Sequence, residues 1–122
     1  MDMETEGIVD LDILKPPKKI IKLGGVQIDV SFVPCGITWE IDSLVRKLSE
    51  YDENKLKDEK SSKEALDIII KLCSTFASFK NPELSEKWFR ENVEMPQINA
   101  FVSLIKEALI RSYAGVEQYG KN

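Results

Sequence analysis

The sequence predicts an α+β domain, mostly α, with an N-terminal β-hairpin followed by three to four helices packed around a central apolar helix. Three observations predict it. Val26, Ile28, Val30 and Phe32 alternate with polar residues just after Gly24-Gly25, the period of a half-buried strand leaving a two-residue turn. Between Ser61 and Lys80, Leu66, Ile69, Ile70, Cys73, Phe76 and Ala77 recur at helical spacing. Ile98, Phe101, Val102, Ile105, Ala108 and Leu109 repeat that period near the C-terminus.

In chain order, Met1 to Glu6 reads as a frayed tail, and residues 1–17 as a flexible segment outside a single domain spanning 18–115. Within it, Gly7 to Leu14 reads as an extended apolar stretch, with Leu11 and Ile13 on one face and Asp10 and Asp12 on the other. Lys15-Pro16-Pro17-Lys18 ends any regular structure, because proline brings no amide to a ladder. Such a tethered stretch has two docking partners open to it, its own domain or a neighbour. Ile20 to Leu23 forms the first hairpin strand. Leu23-Gly24-Gly25 is a turn and not a phosphate cradle, since no helix N-terminus follows to aim amides at an anion.

Pro34-Cys35-Gly36 breaks the second strand. Ile37, Ile41, Leu44, Val45 and Leu48 then form one helical face behind Thr38 as the expected cap. Trp39 lies off this stripe, either covering the hairpin edge or exposed for binding, and packing is the commoner fate of a lone tryptophan. Glu50 to Lys60 is a charged run, read as a solvated linker with Leu56 as its one anchor. Ser61 and Glu64 have capping-box spacing ahead of the central helix, which Asn81-Pro82 should terminate. Ile68, Leu72 and Phe79 add a second apolar side, so this helix should be covered by more than one neighbour. Ser85 should cap a short helix from Glu86 to Asn92, and Pro96 suits the first turn of the last one. That helix should reach Ser112 or Tyr113 and stop at Gly115, leaving 116–122 as a loose tail.

The chain has 122 residues and a formal charge of −4, ample for one core and without a concentrated basic patch. Nucleic acid is therefore not the expected partner, since phosphate neutralisation supplies most of that affinity. No apolar run is long enough to span a bilayer, and the acidic N-terminus is unlike a signal peptide. The expectation is a cytoplasmic protein without a membrane partner. Cys35 and Cys73 lack metal-ligand spacing and read as buried free thiols. With no histidine in the chain, the Ser–His and Cys–His nucleophile arrangements are excluded, as are histidine-dependent metal sites. The carboxylates fall in charged runs or on polar faces, where nothing drives two pKa values apart for acid–base work. The reading is a protein with no catalytic residues, no metal and no cofactor.

The order of elements, a hairpin of the form IIKLGGVQIDVSF, a helix, a charged linker, a long apolar helix and a closing WFRENVEMPQINAFVSLIKEAL segment, resembles the tail assembly chaperones of long-tailed bacteriophages and prophages. The most telling residues are Trp88, Asn92 and Gln97 ahead of the stripe from Ile98, and the resemblance runs from about Lys18 to Tyr113. It implies a non-catalytic protein of the bacterial host cytoplasm that coats the tape measure protein and recruits tail tube subunits. It also implies that a longer, frameshifted form can exist. A structural phage component, such as a head–tail connector or tail completion protein, is the alternative at this size and class.

The partner-binding candidates are Trp88, Phe89, Asn92 and Gln97, together with Leu11 and Ile13. For Trp88 and Phe89 the competing role is a plug between the two long helices. Asn92 and Gln97 have a competing role as helix-end hydrogen bonders. Leu11 and Ile13 could add a strand to a neighbour's sheet edge, making a homo-oligomer.

Overall fold

Two glycines in the left-handed region set the hairpin. Gly24 and Gly25 have φ of 56° and 82°, and they join β3 (Ile20–Leu23) to β4 (Val26–Asp29) in an antiparallel pair with Leu23 opposite Val26. A computed structural model describes residues 4–5, 7–51 and 58–120, and side chains through Tyr113. The fold is α+β and mostly helical. Ahead of the hairpin lie β1 (Glu4–Thr5) and β2 (Ile8–Val9), paired only with each other. After it come α1 (Thr38–Ser49), α2 (Glu59–Ser78), α3 (Glu86–Asn92) and α4 (Met95–Gly120). The expected frayed tail falls partly outside the described residues, and the linker anchor Leu56 falls wholly outside them.

α2 is the centre of the molecule. It packs against α1, α3 and α4, and its Leu72 and Cys73 are fully buried. Phe76 meets the Phe101 ring edge-on at 5.8 Å, and Phe89 stacks with Phe101 at 5.9 Å. From α1, Ile37, Ile41 and Leu44 enter this core, and from the hairpin Leu23, Ile28 and Val30.

Several local expectations change. The cap of α2 is Asp58, whose carboxylate accepts from the Lys60 amide, so the helix starts before Ser61. The added residues Glu59 and Lys60 favour helix, and an acidic group suits its N-terminus. Thr38 does not cap α1. It sits inside the helix and donates its hydroxyl to the Pro34 carbonyl at 3.0 Å, while Ile37 occupies the cap position without a side-chain bond. The strand alternation stops at Val30, because the chain bends at Ser31. Ser31 is buried in place of Phe32, accepts from the Lys19 amide at 2.6 Å and so supplies a rung that the ladder lacks. Arg111 of α4 clasps this bend, donating to the carbonyls of Val30 and Ser31.

Ser85 caps α3 as expected, accepting from the Trp88 amide. α4, by contrast, does not stop at Gly115 and remains helical to Gly120. One interior glycine costs about 1 kcal/mol, too little alone to end a helix. Lastly, Leu11 and Ile13 are not in a strand. They lie in a 3-10 turn, Leu11–Leu14, because the Asp10 carboxylate accepts the Asp12 amide two residues on and bends the chain.

Candidate polypeptide-binding groove

An open groove of about 440 Å³ lies where the hairpin meets the end of α2. Gln27, Ile28 and Asp29 of β4 line it, and so do Lys18 and Ile20 on the β3 side, so it draws on both strands of the hairpin. Ile28, Phe76 and Leu84 are buried core residues that reach its floor. Ile20 and Phe32 flank it with apolar side chains that remain 45% and 38% exposed. Lys18, Gln27, Asp29, Lys80 and Asn81 line it as well, so its surface mixes polar groups with apolar ones, a lining that suits a polypeptide.

The outer edge of β4 is open among the described residues. Val30 donates to the Lys19 carbonyl, which makes that pair a hydrogen-bonded one. Alternation along an antiparallel ladder then places Ile21–Ile28 and Leu23–Val26 in the same class and turns the amides and carbonyls of Gln27 and Asp29 outward. Among the described residues no hydrogen bond engages those outward groups. An open edge of this kind is a template for another strand.

Charge at the groove is unequal. Lys18 and Lys80 line it, and Lys80 reaches the Asp29 carboxylate at 3.6 Å while lying 4.7 Å above the Phe32 ring. Burial alone would raise the Asp29 carboxyl. The hydrogen bonds with Ser31 and the nearby Lys80 ammonium outweigh it and hold the group below its ordinary value.

The candidates expected from sequence separate into different roles. Phe89 is completely buried and cannot meet a partner, so its place is in the core, as a plug between α2 and α4. Trp88 is half-buried and covers the hairpin turn. A Cβ at Gly24 would come within 2.8 Å of its indole. Asn92 and Gln97 are exposed, but their side chains finish helix ends. Asn92 donates to the Trp88 carbonyl, and Gln97 accepts from the Glu94 amide just ahead of α4. Leu11 is exposed and Ile13 half-buried, both away from the groove.

Trp39, expected to pack, is 83% exposed in the first turn of α1. Cys35 is exposed as well, against the expectation of two buried thiols, whereas burial pushes the Cys73 thiol up to about 12 and leaves it unreactive. Among the described residues no three Cys, Asp or Glu side chains gather into a group that could hold a metal ion, and no helix is long and apolar enough to cross a membrane. The groove residues that sequence reasoning missed are Ile20, Phe32 and Lys80. Phe32 looked like an inward strand residue, and its only outward signal was the serine before it.

Compared with known proteins, the chain matches no family model, no curated protein and no solved structure.

Proposed function

We propose that this is a non-catalytic protein that holds an apolar stretch of another polypeptide, and that it acts as a phage tail assembly chaperone in the bacterial host cytoplasm. Its client on this reading is the tape measure protein, around which it helps gather tail tube subunits. The observation that carries the binding role is the groove, with an apolar floor and flanks beside an unpaired strand edge. Support for the particular client comes from the order of elements from Lys18 to Tyr113 and from Trp88, Asn92 and Gln97, which resemble those of the tail assembly chaperones.

A long client that aggregates alone needs its apolar segments covered until the tube closes around it. A groove that is half filled by its own walls meets that need with modest affinity, because only the surplus over ordering costs appears as binding. Co-expression with the tape measure protein is the test. The expected result is co-purification and a soluble client, both lost when Phe32 and Ile20 are replaced by aspartate. A client that stays insoluble beside abundant soluble chain overturns the proposal. So does recovery of the chain in purified virions, which is the signature of a connector or completion protein.

A further inference from the structure

We infer that the groove takes acidic apolar segments: its ligand is a polypeptide stretch in which apolar side chains alternate with aspartate or glutamate, and Lys18, Lys22 and Lys80 select it by charge. The inference rests on the reading of the groove as a polypeptide-binding site and names the chemistry of what it holds.

The hairpin register places the charges. Ile20 stands opposite Asp29 and Lys22 opposite Gln27, so these side chains share the outer face of the hairpin. Ile20, Gln27 and Asp29 line the groove, which puts Lys22 on the same surface, nearer the turn. Lys18 lines it from just ahead of β3, and Lys80 from just past α2.

Cations outnumber anions on this surface, in a chain whose formal charge is −4. Asp29 is the one carboxylate among the residues that line the groove, and it is engaged. It accepts from the Ser31 amide at 2.8 Å and meets the Lys80 ammonium at 3.6 Å. The cations keep capacity to spare. Lys18 and Lys22 are exposed and make no salt bridge among the described residues, whereas Lys19 has Glu107 at 3.8 Å. An ammonium carries three donors, so Lys80 can serve a second carboxylate while keeping Asp29.

The apolar half of the ligand follows from what the fold leaves open. Ile28, Phe76 and Leu84 are nearly sealed, so a bound side chain meets the flanks, on Ile20 and on the Phe32 ring. Lys80 lies 4.7 Å above that ring, which sets the apolar contact and the charge contact side by side. A segment that satisfies both carries an apolar residue next to an acidic one. A basic segment would bring its cations against the three lysines, with Asp29 alone to oppose them. Such like-charge contacts suppress wrong partners more than each exposed opposite pair strengthens the right one.

The test titrates the full chain against three fluorescent peptides, read by anisotropy. One alternates leucine with aspartate, the second has lysine for aspartate, and the third has serine for leucine. At low salt the leucine–aspartate peptide is expected to bind about tenfold tighter than the leucine–lysine peptide, the combined effect of a few exposed charge pairs. That margin should shrink as added salt screens the pairs. Lys18→Glu with Lys22→Glu is expected to reverse the preference at an unchanged melting temperature, and Phe32→Ser to weaken the leucine–aspartate peptide. Equal binding of the acidic and basic leucine peptides overturns the inference and leaves the groove a polypeptide site. Equal binding of the serine peptide overturns it as bare charge attraction, and indifference to both sets of substitutions overturns it by placing the peptide elsewhere. Binding that appears only on dilution of the chain overturns it too, by showing a second copy on this surface. If none of the peptides binds, the inference and the groove reading fall together. None of these outcomes involves the tape measure protein, so the choice of client is tested separately.

Discussion

Two apolar regions of this protein meet opposite fates. At the junction of α2, α3 and α4, Phe76, Phe89 and Phe101 form a continuous sealed stack. In the N-terminal arm, Ile8, Val9, Leu11 and Leu14 stay more than half exposed, and at the groove Ile20 and Phe32 remain partly in water. The difference is one of geometry and not of hydrophobicity. A helix of several turns presents its stripe as a wide face that a second helix can cover, and one ring then buries against two others. A stretch of a few residues ahead of two prolines has no such face.

Four measurements would break or sharpen this contrast. The largest effect is expected from Phe89→Ala, which empties the centre of the stack and should cost about 3–5 kcal/mol in urea unfolding. A loss below about 1 kcal/mol would mean that the junction is not sealed. Next comes Gly24→Ala. It forces a side chain into the left-handed region and against the Trp88 indole, with an expected cost of about 1–3 kcal/mol. Combining it with Trp88→Ala should recover part of that loss, and a purely additive result would separate the indole from the turn.

Acid should act on the hairpin more weakly. The Asp29 carboxyl is held below its ordinary 3.8 in the folded chain, so its contribution is complete above that value and is lost as pH falls through the lowered one. A unfolding midpoint that drops on acidification less in Asp29→Asn than in the parent is the expected outcome. The smallest effect belongs to Trp39→Ala, expected to change stability by no more than about 0.5 kcal/mol because the side chain is 83% exposed. A large loss there would place the indole in the core after all.

The pattern of agreement follows the range of the forces involved. Periodic stripes were legible because they reflect one face of one element. Ile41 and Leu44 on α1, Ile70 and Phe76 on α2, and Ile98 through Leu109 on α4 all enter the core at the expected spacing. Ser85 was legible because its bond reaches only three residues along the chain. The groove was not legible. Its floor joins Ile28 of the hairpin to Phe76 and Leu84, and its cation reaches Asp29 from the far end of α2. Asn92 and Gln97 were recognisable as polar residues near helix ends, yet only their hydrogen bonds assign them to the backbone.

By itself the amino-acid sequence determined the hairpin turn, the apolar faces of the helices and the absence of histidine chemistry, because each depends on neighbouring residues or on composition. Tertiary structure alone decided that Ser31 turns inward and Phe32 outward, that Phe89 is sealed while Trp39 is bare, and that β4 keeps an open edge beside a groove. Those outcomes depend on which distant surfaces fill the same space. Packing competes for that space across the whole chain, and no local pattern records the result.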